Sequence, residues 1–86
     1  MTITFGAFIM KIEQLRNTHQ ARPFIPFTIC MADGNIFRIE HPEFLSFFPS
    51  GRSITVYQED DSHSILDVAL ITELKVDPPQ QTRAAG

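Results

Sequence analysis

Eighty-six residues are enough for one domain, and one that buries only roughly 60% of its unfolded surface. A single cysteine, Cys30, excludes an internal disulfide and removes cysteine-based zinc motifs, while eight phenylalanines supply core bulk to a chain without tryptophan. The net charge of −3 is uneven: residues 23–77 carry three basic and nine acidic side chains, a balance that disfavours sequence-independent binding to phosphate backbones.

Residues 1–9 form an uncharged leader. It lacks the basic start and small-residue cleavage site of a secretory signal and is too short to span a bilayer, so a cytoplasmic location and no membrane contact are expected. Met10 offers an alternative start, and the leader is expected to be dispensable for folding. The spacing of Phe8, Ile12, Leu15 and His19 predicts an amphipathic helix over residues 9–20, ended by Pro23. Cations on this helix suit an acidic surface, either that of the same domain or of a neighbouring copy. His19 is expected at the helix end, bonded to the last carbonyls.

Residues 24–40 carry the clearest signal. A two-residue Asp33-Gly34 loop would set the apolar face of one strand against Arg38 on the other. A three-residue loop, Ala32-Asp33-Gly34 with Gly34 in the left-handed conformation, pairs Ile29 with Phe37 and Phe27 with Ile39. Phe27, Ile29, Met31, Phe37 and Ile39 then share one face, and Thr28, Cys30, Arg38 and Glu40 the other. Cys30 reads as a small, half-buried strand residue.

Pro42 predicts a short helical turn over residues 42–48 between strands 2 and 3, closed by Pro49, Ser50 and Gly51. A third strand follows at residues 53–58 and a polar turn at Glu59-Asp60-Asp61-Ser62. The segment 63–76 is too long for one strand and changes phase at Val68-Ala69-Leu70-Ile71. Splitting it there gives a fourth strand over residues 63–68 and a fifth over residues 70–76, on which Leu70, Leu74 and Val76 share a face. Residues 78–86 form a polar, proline-containing tail expected to be disordered. The expected fold is mainly β: a small five-stranded barrel over residues 10–77, preceded by one amphipathic helix.

The series Arg22-Pro23-Phe24-Ile25-Pro26-Phe27, Ala32-Asp33-Gly34, His41-Pro42-Glu43-Phe44-Leu45, Gly51-Arg52 and Ile71-Thr72-Glu73-Leu74 resembles a set of short, functionally uncharacterised bacterial proteins. That resemblance spans residues 10–77 and implies no known activity. A looser similarity, in element order and hairpin shape, is to SH3-like barrels and Sm-like RNA chaperones. The chain departs from the latter at residues 42–48 and lacks their RNA-contacting signatures, so the likeness implies fold rather than function.

Three constellations bear on chemistry. Glu40, His41, Glu43 and His63 are metal-ligand types, but Pro42 splits the set and no helical histidine spacing supports it. Glu59-Asp60-Asp61 lacks the alternating oxygens and glycine of a calcium loop and reads as a solvated hairpin tip. Ser46, Ser50, Ser53, Ser62 and Ser64 lie outside any nucleophile-elbow context. No enzyme activity, cofactor or metal is expected. Two functional classes remain: a non-catalytic protein-interaction or oligomerisation module, and an Sm-like RNA- or DNA-binding barrel, against which the acidic balance counts. Phe44, Leu45, Phe47 and Phe48 cannot all point inward from one helical turn and form the candidate interaction surface. Together with a free edge on the fifth strand, they predict a homodimer or small ring, with an unknown protein partner as a further occupant.

Overall fold

The computed structural model describes the backbone of residues 3–78 and side chains from residue 11 onward. All but the first residue of the tail lies outside the described residues, as do the side chains of the leader, Phe8 among them. The helix α1 spans Ile3–Gln20, so it begins within the stretch read as a leader and not at residue 9. Its stripe is as expected from residue 12 on: Leu15 is completely buried and Ile12 packs against the same core. Truncating Leu15 to alanine should cost about 3 kcal/mol.

Six strands follow α1: β1 Phe27–Met31, β2 Ile36–Ile39, β3 Leu45–Phe47, β4 Ser53–Tyr57, β5 His63–Asp67 and β6 Ile71–Val76. They form two three-stranded antiparallel sheets, ordered β2-β1-β6 and β3-β4-β5. The expected five-stranded barrel is therefore corrected to a two-sheet arrangement with one more strand. The extra strand comes from residues 42–48. Only Pro42–Phe44 turn, as one 3-10 turn, and Leu45–Phe47 extend to pair with β4.

The first hairpin has the bulged register. Ile29 lies opposite Phe37 and Phe27 opposite Ile39. Gly34 stands at φ +93°, its amide donating to Met31 O at 3.0 Å while Met31 N donates to Asn35 O at 2.9 Å. Phe27, Ile29, Met31 and Ile39 are buried and Phe37 packs against them, whereas Arg38 and Glu40 are exposed on the opposite face. The β3–β4 loop also uses a left-handed glycine, Gly51 at φ +75°, whose amide donates to Phe48 O at 2.9 Å.

The phase change after β5 is a 3-10 turn, Val68–Leu70, capped by Asp67, which accepts from Ala69 N at 2.9 Å. A second irregularity follows inside β6. Its register against β1 shifts between Cys30, opposite Glu73, and Met31, opposite Ile71, so Thr72 is an extra residue. The bulge reverses side-chain parity. Ile71 becomes buried on the same side as Leu74, while Leu70, expected on that face, belongs to the turn and is exposed.

The core lies between the sheets and is closed by α1. β4 contributes Ile54 and Val56, β5 Leu66, the second 3-10 turn Val68 and β3 Leu45. Midway along α1 the Lys11 ammonium donates to Ala69 O at 3.2 Å. Toward its C-terminal end, the Arg16 guanidinium lies 4.8 Å over the Phe47 ring. Helix docking thus uses a carbonyl and an aromatic face where carboxylates were expected.

Candidate interaction surfaces

The four residues proposed from sequence as an exposed patch, Phe44, Leu45, Phe47 and Phe48, are separated by the strand geometry of β3. Side chains alternate along a strand. Leu45 turns inward and is only 4% exposed, so it belongs to the core. Phe47 turns the same way, half-buried beneath the end of α1, with the His19 ring 5.4 Å from its own. His19 Nε2 donates to Pro42 O at 2.7 Å; its carbonyl partner is tertiary and not at its own helix end as expected. Phe44 packs on the core from the first 3-10 turn, and Phe48 alone of the four is exposed.

Phe44 contributes to a different surface. Together with Phe37 of β2 and Val56 and Tyr57 of β4 it lines an open groove of about 420 Å³, with Glu40 and Glu59 at its rim. The groove runs beside the outer edge of β2, which has no strand on that side among the described residues. Hydrogen-bonded and non-hydrogen-bonded pairs alternate along an antiparallel ladder. The Met31–Asn35 bond makes Ile29–Phe37 and Phe27–Ile39 the bonded pairs, so the amides and carbonyls of Ile36 and Arg38 point to the open edge. The Ile36 side chain beside them is 66% exposed.

Arg38 carries the one positive charge lining this groove, and it is engaged. It donates to Asp77 and Glu40 and, at 3.2 Å, to Thr28 Oγ1. These bonds, that to Asp77 foremost, raise the guanidinium pKa and hold the Asp77 carboxyl below its ordinary range. The groove therefore presents apolar rings under an acidic rim.

The other sheet has its own uncovered edge, β5. Its burial alternates, with His63, Ile65 and Asp67 exposed and Leu66 buried. Ile65 stands 60% exposed between a histidine and an aspartate. β6 ends its sheet, as expected of the last strand, and α1 lies beside it: Gln14, Asn17 and Thr18 share a cleft with Leu74 and Val76. The uncovered edges were missed in the sequence, although the signal was there, since Ile36 and Ile65 each fall in the polar phase of their strand.

The other candidate residues take structural places. Cys30 is half-buried on the outer phase of β1, as expected. No group of three or more His, Cys, Asp or Glu is arranged for a metal among the described residues, and Glu40, His41, Glu43 and His63 are not brought together as one. Glu59, Asp60 and Asp61 form the β4–β5 hairpin tip, where the Ser62 hydroxyl and amide hold the Asp60 carboxyl below its ordinary range. Of the serines, Ser46 lies 3.3 Å from the Tyr57 hydroxyl and Ser50 caps its loop by accepting from Arg52 N. No described helix is long and apolar enough to cross a membrane. Comparison with protein-family models, curated proteins and solved structures finds no match.

Proposed function

We propose that the protein is a non-catalytic interaction module that binds an extended protein segment along β2. The observation that carries this reading is the groove beside an open strand edge: Ile36 and Arg38 offer unpaired backbone groups, and Phe37, Phe44 and Tyr57 offer apolar rings next to them. A strand added there gains main-chain hydrogen bonds, with alternate side chains entering the groove. Glu40 and Glu59 at the rim, with Arg38 already bonded to two carboxylates, favour a segment in which apolar residues alternate with lysine or arginine. The same acidity argues against an RNA- or DNA-binding role.

The finer likeness to SH3-like and Sm-like barrels belongs to this proposal. Counting β2 and β3 as two halves of one arm interrupted at Pro42–Phe44 leaves a helix followed by five strands, with a 3-10 turn before the last. Self-association into a dimer or small ring is part of the same reading.

Titration of labelled protein with a seven-residue peptide alternating valine and lysine tests the groove. Amide shifts confined to Ile36–Ile39 and Tyr57, absent with the valine–glutamate counterpart, are expected. Tight, steeply salt-dependent binding of single-stranded RNA, with no shift from either peptide, would overturn it.

A further inference from the structure

The β5 edge has a property that β2 lacks: it is complementary to itself. In the β4–β5 hairpin Gln58 N donates to Ser62 O at 2.9 Å, so the bonded pairs continue at Val56–Ser64 and Ile54–Leu66. The amides and carbonyls of His63, Ile65 and Asp67 consequently point away from β4. No strand lies there among the described residues. These three residues also share the exposed side-chain face.

We propose that β5 pairs antiparallel with the β5 of a second copy, about a two-fold axis through Ile65. This register sets Ile65 against Ile65 and His63 of each copy against Asp67 of the other. All three outward-facing residues fall into bonded pairs at once, whereas a shift by two residues in either direction loses one pair and places Ile65 opposite a polar group. The side chains agree with the backbone. Two exposed isoleucines cover each other, and a histidine N–H meets a carboxylate at each end. Asp67 keeps an oxygen for this bond, because its cap to Ala69 N uses Oδ1. Extending the pairing carries the acidic tip, Asp61, toward Ala69 of the other copy, where the Lys11 ammonium sits. The equivalent symmetric pairing of β2 would oppose Ile36 and Arg38, an apolar group against a charged one. The product is one continuous six-stranded sheet, β3-β4-β5-β5-β4-β3, and the association is isologous and closed.

This inference deepens the interaction-module reading and rests on it, yet the two fail separately: a monomer that still takes the basic peptide at β2 would remove only the β5 pairing. Sedimentation equilibrium of the full chain is the test. Wild type is expected to dimerise, and Ile65→Lys, at an exposed position, to be monomeric with an unchanged far-ultraviolet spectrum. His63→Asp should weaken the dimer roughly tenfold or more by opposing carboxylates, while His63→Lys should retain it. Hydrogen exchange on wild type gives an independent readout: amides of His63, Ile65 and Asp67 should gain protection as concentration rises. A wild type that is monomeric at every concentration, a dimer untouched by Ile65→Lys and His63→Asp, or concentration-independent exchange at those three amides would overturn the proposal.

Discussion

The two bulged hairpin turns, Ala32-Asp33-Gly34 and Glu59-Asp60-Asp61, have one backbone and two chemistries. In each, the third loop residue donates to the residue before the loop, Gly34 N to Met31 O at 3.0 Å and Asp61 N to Gln58 O at 3.1 Å. In each, the central aspartate accepts from the amide two residues on, Asn35 at 3.0 Å and Ser62 at 3.1 Å. Each third residue is left-handed, φ +93° at Gly34 and +72° at Asp61. The shared part is hydrogen bonding around a central aspartate. What differs is the strain: glycine takes the left-handed region freely, while aspartate adopts it at a cost. A turn can therefore be specified by its aspartate and loop length, with glycine setting only how easily it forms.

The largest break in this comparison is Gly34→Val. Nothing lies within 4 Å of the position a Cβ would take, so the loss is backbone strain alone, about 2 kcal/mol in urea unfolding. Gly34→Asp, which makes the first turn resemble the second, should lose only about 1 kcal/mol, because aspartate tolerates this region better than a β-branched residue. The reverse exchange, Asp61→Gly, should gain about 0.5 kcal/mol. If both exchanges were neutral, the two turns would not differ in strain.

The smallest effect is one of pH. Ser62 holds the Asp60 carboxyl below its ordinary value, so the folded-state pKa lies below the unfolded one. Its contribution is present above the unfolded pKa and is lost as pH falls through the folded value. Urea midpoints of wild type should therefore fall more steeply than those of Asp60→Asn between about pH 5 and about pH 2. Parallel midpoints would show that the second turn draws nothing from its charge.

The same pair of turns shows how far the sequence could be read. Asp33-Gly34 between alternating apolar residues announced both the turn and its register, and the register held across Ile29–Phe37 and Phe27–Ile39. Glu59-Asp60-Asp61 was legible only as a polar turn, since without glycine nothing pointed to the left-handed residue. Elsewhere the local pattern misled for physical reasons. Pro42 made a turn credible through Phe48, but Leu45 and Phe47 alternate as a strand and bury their side chains against β4 and α1. The extra residue at Thr72 inverted the phase of β6, so Ile71 went unrecognised as core and Leu70 was placed there instead. The candidate surface failed with β3: once residues 45–47 are a strand, the aromatic run no longer forms one outward patch. The open edges of β2 and β5 left a local trace in Ile36 and Ile65, apolar residues in the polar phase of their strands, but which strands end a sheet depends on the whole strand order and not on one segment.

The strand order also sets a timetable. Every pairing in the β3-β4-β5 sheet joins neighbours in the chain, and so does β1 with β2. The pairing of β1 with β6 alone joins the first strand to the last. Closing that long loop carries the largest entropic cost of any pairing in the molecule, so folding should build two local units early and finish with one slow step. On a ribosome, β1 must wait for β6 with one edge uncovered until the final strand emerges. Whatever shields that edge meanwhile governs how safely the chain reaches its native state.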